Sequence, residues 1–247
     1  MSTLRVNNLE SYTPGNPLNV NDELQMTGST ASGDKSVAFG NQNIASSSYS
    51  TVVGGVYNEC KGIETVVVGG SSNEVAFLSP QSVILGGSSN QIISGSSSTI
   101  IGGRLNKIQS GSQYSIAAGA SNRIEANYGW THGYLNRVRG EYGSAHGFTC
   151  EISESATYGF ALGDHIQLSR PYQVGIGKYN EIGNQNHGSV FVIGNGAFPN
   201  RRNLADFRSG SVGFVFDTGS IPTSDPGVIG ALYRTGSLRD EIKISLG

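Results

Sequence analysis

The chain has 247 residues, enough for one large domain or two ordinary ones, but 36 glycines, a single tryptophan and 14% charged residues do not describe an ordinary globular fold. Its formal charge of −2 gives no general pull toward nucleic acid or an anionic membrane. No run approaches the ~20 apolar residues of a membrane helix, and few prolines with regularly spaced Val/Ile runs argue against disorder.

In chain order, residues 1–33 read as an N-terminal capping or docking segment. The stretch Leu4–Gly28 has short alternating strands around a Pro-Gly-Asn-Pro turn, and "MSTLRVNNLESYTPGNP" lacks the apolar centre of a signal peptide. This predicts a soluble chain made in the cytosol. A solenoid end exposes unpaired strand edges, which such a segment would cover.

Residues 34–188 form a repeat. Glycines at 40, 55, 70, 87, 103, 119, 133, 147, 163 and 177 recur every 14 to 17 residues. Three residues after Gly40, Gly55, Gly70, Gly87, Gly103, Gly119, Gly133 and Gly177 stand Asn43, Asn58, Asn73, Asn90, Asn106, Asn122, Asn136 and Asn180. Cys150 and Ile166 break this column after Gly147 and Gly163. Five residues after the glycine the residue is mostly aliphatic: Val75, Ile92, Ile108, Ile124, Val138, Ile152, Leu168 and Ile182, preceded by Ala45 and Cys60. Gly194 starts a degenerate eleventh coil. Glycine takes positive φ at little cost, and asparagine is the next residue able to form left-handed turns. Two short strands and two turns per coil predict an all-β fold, a parallel β-roll or β-solenoid of about ten coils. At ~4.8 Å per rung the rod is roughly 45 to 50 Å long. The apolar residues lack the 3.6 period of a helix.

Residues 189–247 leave the repeat and read as a C-terminal β module. Asp225-Pro226-Gly227 marks a turn, and strands near Gly230–Tyr233 and Glu241–Leu246 flank a hairpin loop, "RTGSLRD".

Counting from the glycines yields columns that could carry function. Five residues before them, the later coils have Tyr114, Tyr128, Tyr142, Tyr158 and Tyr172, where the earlier ones have Lys35, Ser50, Thr65, Ser82 and Ser98. With Trp130 nearby, these tyrosines are a ladder for a chain interface or a glycan, placed outside the roll by the small residues that alternate with them. One residue before the glycine, His132 and His146 take the place of the first glycine of the "GG" pairs; convergent imidazoles from several chains could hold a metal, although no acidic or cysteine partner shares the column. Four residues after it, the column Ile44, Glu59, Glu74, Gln91, Lys107, Arg123, Arg137, Glu151, Gln167, Glu181 marks a solvent-facing edge. Within it, Lys107, Arg123 and Arg137 form a basic stripe suited to an acidic polysaccharide. Cys60 and Cys150 lie about six coils apart, roughly 29 Å at the rung spacing, too far for a disulfide. Both read as small buried side chains.

The phrases "SVAFGNQNIAS", "STVVGGVYNECKG" and "STIIGGRLNKIQSG" resemble the head repeats of YadA-like trimeric adhesins, which also occur in bacteriophage and algal-virus fibre proteins. The likeness runs over roughly residues 34 to 190. It implies a left-handed β-roll, three chains about a threefold axis. The N-terminal stretch is similar to the start of many phage tail-fibre chains, and "GALYRTG" with "LRDEIKIS" to the ends of phage structural proteins.

These readings converge on a trimeric structural fibre or appendage of a virion, assembled in the host cytoplasm. It joins other virion proteins through a terminal module and serves host attachment, with a surface glycan as a candidate ligand and no nucleic-acid partner or membrane insertion. The absence of a signal peptide, of stalk heptads and of a membrane-barrel segment favours this over a bacterial cell-surface adhesin, the alternative. No GxSxG, HExxH, CxxC pair or P-loop occurs, so no catalytic residue or cofactor is expected. A fibre-borne polysaccharide depolymerase, with a site built between chains, is the weaker alternative.

Overall fold

The computed structural model describes residues 28–109, 111–180 and 189–208, with the strand backbones at 24–25, 214–216, 232–235 and 241–244. These residues form an all-β solenoid of about ten coils, without a helix. Each coil lends one strand to each of two stacked sheets. The long sheet has fourteen strands. It runs parallel from Leu24–Gln25 to Ser189–Asn195 and ends with two antiparallel strands, Asn203–Arg208 and Phe214–Phe216. The short sheet has ten strands of two residues, Thr30–Ala31 to Gln167–Leu168, all parallel.

Such short strands suffice because each coil needs only one inward residue per sheet. Val67 and Val75, Ile84 and Ile92, and Ile100 and Ile108 come from opposite sheets of one coil, and all are fully buried. In the later coils the long sheet turns small inward side chains, Ala117, Thr131, Ala145 and Ala161, while the short sheet keeps Ile124, Val138, Ile152 and Leu168. Burying one large aliphatic side chain is worth about 1.5–3 kcal/mol, so the apolar core of each coil is thin. Polar ladders supply the rest.

The asparagines form the main ladder. From Asn43 to Asn136 each buried Asn donates its Nδ2 to the carbonyl oxygen of the glycine that opens the next coil, as Asn58 does to Gly70 and Asn73 to Gly87, both at 3.0 Å. Its Oδ1 accepts the backbone N–H of the residue in the same place one coil on, the next Asn or, after Asn136, Cys150. Asn180 instead donates to the Gln167 carbonyl and accepts the Gln167 N–H. The asparagines do not take left-handed geometry as expected: the residue before each does. Gln42, Tyr57, Ser72, Ser89, Leu105, Ser121, Leu135, Thr149, His165 and Tyr179 have φ between 42° and 58°. The amide then serves as a clamp between turns, a role that needs its donor and acceptor together.

The strand register corrects the column count. Ile100 pairs with Ala117, although one lies three and the other two residues before its conserved glycine. The first glycine of each "GG" pair is therefore an insertion. Gly54, Gly69, Gly86 and Gly102 have positive φ, as do the glycines that follow them, and the strand breaks there. In the later coils, where the insertion is absent, the strand runs through the conserved glycine for five residues, as in Trp130–Tyr134 and Ser144–Phe148. The second glycine is required by packing as well: a Cβ on Gly133 would lie 2.1 Å from the Gly147 carbonyl oxygen.

Gly194 pairs in register with Gly177. It closes the parallel stack rather than starting a full coil, because the chain returns antiparallel through Asn203–Arg208. Near the C-terminus, Leu232–Thr235 and Glu241–Ile244 pair antiparallel, the expected hairpin with its first strand shifted two residues. The Asp225-Pro226-Gly227 turn, most of Leu4–Gly28, and Glu181 and Ile182 lie outside the described residues.

Candidate functional site

The tyrosine ladder stands at the corner where each coil enters the long sheet. Tyr114, Tyr128, Tyr142, Tyr158 and Tyr172 all have left-handed φ of 51–58°. This conformation turns successive side chains outward at the same angle on each rung. The rings stack in sequence with centroids 5.3, 4.6, 4.6 and 5.0 Å apart, the last three pairs tilted by only 3°. The next residues, such as Gly129 and Gly143, are buried, so the expected inside–outside division holds. Stacking occupies ring faces and leaves mainly edges and hydroxyls in solvent. Stacking of a sugar on an aromatic residue needs a free ring face, so the interior of the ladder is closed to that contact.

Among the earlier members of the column Lys35 stands as expected, while the next four are each one residue earlier than expected. The left-handed corner residues are Lys35, Tyr49, Glu64, Gln81 and Ser97. From Tyr49 onward each is tied to the previous coil by its own N–H, as Tyr49 is to Asp34 and Tyr114 to Ser96. Ser50, Thr65, Ser82 and Ser98 instead follow the corner, buried, and their hydroxyls donate to turn carbonyls such as those of Ser47 and Gly62. The "GG" insertion displaced these by one place. Side-chain bridging continues down the corrected column. Lys35 sits over the Tyr49 ring at 5.2 Å, and Gln81 donates to Glu64 at 3.0 Å.

His132 and His146 pair across adjacent strands of the long sheet. They do not replace a glycine: their column continues Ala118, and before it Ile101, on the outward face. The two rings are tilted with centroids 6.4 Å apart, and His146 meets Trp130 edge-on at 4.6 Å and Phe160 at 5.6 Å. Burial in this aromatic setting, then the neighbouring His132, hold the His146 imidazole below its usual range. Among the described residues no group of three or more His, Cys, Asp or Glu side chains is placed to hold a metal ion.

Lys107, Arg123 and Arg137 do share a column on the short sheet. Arg123 and Arg137 both close on Glu125, the latter at 2.8 Å, and Arg139 closes on Glu151. Burial alone would raise the Glu125 carboxyl. Hydrogen bonding to Arg137 and the charge of Arg123 outweigh it and keep the group ionised. Two of the three stripe residues thus share the single Glu125 carboxylate, which offsets part of the stripe's charge. Cys60 and Cys150 are buried free thiols, and burial pushes the Cys60 thiol up to about 12.

A second aromatic run was not anticipated. Tyr134 stacks on Phe148 at 5.4 Å, Phe148 meets His165 at 5.2 Å, and His165 stacks on Tyr179 at 4.3 Å. Arg201 caps it, 5.8 Å over Tyr179, while donating to the His165 carbonyl at 2.7 Å. Its sequence signal is the aromatic after the glycine in "HGYLN" and "HGFTC", one coil apart. Compared with protein-family models and with curated proteins, the chain matches none.

Proposed function

We propose that the chain is a structural rod of the virion-fibre kind, assembled as a homotrimer and carrying a role in host attachment. The observation that carries this reading is the outward face of the long sheet. Val53, Val68, Leu85 and Ile101 follow one another on four successive strands with 43% to 55% of their surface exposed; Ala118, His132 and His146 then carry the column on to the exposed Leu162, and Ile116, Trp130 and Phe160 stand exposed in the neighbouring column. A straight apolar strip of this length is a feature that soluble single chains avoid and chain interfaces use. It lies along the rod axis, so parallel copies can bury it along their whole length.

In this reading the tyrosine corners and the charged short sheet remain outside, and a terminal module joins the rod to other virion proteins. A bacterial cell-surface adhesin would use the same face. Genomic neighbours separate the two: capsid or tail genes for the first, secretion genes for the second. Negative-stain imaging tests the architecture. The reading predicts short rods with threefold end views, and single thin spindles would reject it.

A further inference from the structure

The coils vary in length at the tyrosine corner, and the variation builds a notch. Between the inward residue of the short sheet and the corner tyrosine, two consecutive coils have only three residues, 125–127 and 139–141. The coils on either side have five, 109–113 and 153–157. Two short turns thus lie sunken between two longer loops. Nowhere else among the described coils does this pattern occur. The result is a notch of about 340 Å³, floored by Glu125, Ala126, Asn127, Arg139 and Glu141, with Gly111 on one wall and Glu154 and Thr157 on the other.

We propose that this notch is a binding site for a neutral oligosaccharide. The volume is at the small end of ligand sites, which span ~300–1,000 Å³. Its lining is polar rather than apolar, which disfavours a lipid or a drug-like ligand. Three of its residues are already committed. Glu125 is held by Arg123 and Arg137, the Arg139 guanidinium is bound on one side to Glu151, and Asn127 bridges the Gln113 N–H and the Glu141 carboxylate. These ties fix the floor before any ligand arrives. What is left for a ligand is a mixed set. The Glu141 and Glu154 carboxylates have no ion-pair partner among the described residues, Thr157 offers a hydroxyl, and the Arg139 side chain is partly exposed beside them.

Vicinal hydroxyls of a pyranose match such a set, because each can donate to a carboxylate and accept from a guanidinium. The two carboxylates without ion partners repel phosphate, sulfate and uronate groups. An ammonium group could answer the carboxylates but would leave the Thr157 hydroxyl and the guanidinium unmatched, whereas a neutral polyol can use all of them. The site differs from the tyrosine ladder, whose ring faces are spent on one another, and it does not depend on the rod's belonging to a virion.

The test is saturation-transfer NMR on the full chain with four neutral trisaccharides (of glucose, galactose, mannose and N-acetylglucosamine), a galacturonate trimer and a Gly-Lys-Gly peptide. At least one neutral trisaccharide is expected to bind, more tightly than either charged probe. Glu141→Ala with Glu154→Ala is expected to weaken it about tenfold or more, the scale of one to two lost charge-assisted hydrogen bonds. Both residues are exposed, so an unchanged melting temperature serves as the control for folding. No binding by any neutral trisaccharide, equal binding by the double variant, or tighter binding of the uronate or the peptide would overturn the proposal.

Discussion

Asn106 Nδ2 donates to the Gly119 carbonyl oxygen in the next coil at 2.6 Å, while its Oδ1 accepts the Asn122 N–H at 3.1 Å. One amide therefore joins three coils, since Nδ2 also reaches Asn90 Oδ1 at 3.1 Å. Asn106→Asp removes the donor and points a carboxylate at oxygens on two sides. A loss of about 3 kcal/mol or more is expected in chemical unfolding. Asn106→Cys, copying Cys150 in the same column, is expected to cost less than Asp. Cys150 keeps its N–H bonded to Asn136 Oδ1, so the ladder tolerates an interruption but not a reversed charge.

Two glycines of similar appearance should respond differently. Gly133 has φ 117° and a Cβ there meets the next coil's backbone, so Gly133→Ala is expected to cost about 3 kcal/mol or to prevent folding. Gly54 has φ 78° with nothing within 4 Å of a Cβ. Gly54→Asn should cost about 1 kcal/mol or less, because asparagine tolerates left-handed backbone. Thermal unfolding of the two variants side by side checks the difference.

The stacked tyrosines predict a separation of ring from hydroxyl. Tyr142→Phe keeps the stack and should leave stability within about 0.5 kcal/mol, whereas Tyr142→Ala opens it and should cost about 1–2 kcal/mol. Near-ultraviolet circular dichroism should lose part of its tyrosine signal in the alanine variant, since the Tyr114–Tyr128 and Tyr158–Tyr172 pairs remain, and lose less in the phenylalanine one.

His146 predicts a pH effect. Its imidazole is held below its usual value mainly by burial, with His132 adding repulsion and Trp130 and Phe160 packed around it. The folded state thus disfavours the proton relative to the unfolded chain. The associated stability is complete above the unfolded value of ~6.5 and falls as pH drops below it. His146→Leu, matching Leu162 on the next strand, should flatten the dependence of melting temperature on pH between about 7 and 5.

Much of the solenoid was legible in the spacing of Gly55, Asn58 and Cys60 and their equivalents, because each marks a corner, a clamp and an inward position that every coil needs. Counting back from the glycine failed in the coils with "GG". There Gly54 is an extra residue, so Tyr49 rather than Ser50 occupies the corner. Sequence alone does not say which of two glycines is the insertion; the hydrogen-bonded register does. The clamping of Arg123 and Arg137 by Glu125 was likewise hidden, since the partner sits in a different column of the repeat. The notch could have been found from coil length, had the turns been aligned on the tyrosine instead of the glycine.

The central claim is that the apolar face bearing Val53, Leu85, Ile101 and Leu162 is covered by further copies of the chain. Static light scattering of the full chain at micromolar concentration tests it most directly. The account predicts one species of three times 25.9 kDa that persists on dilution. A stable, soluble species of 25.9 kDa would contradict it.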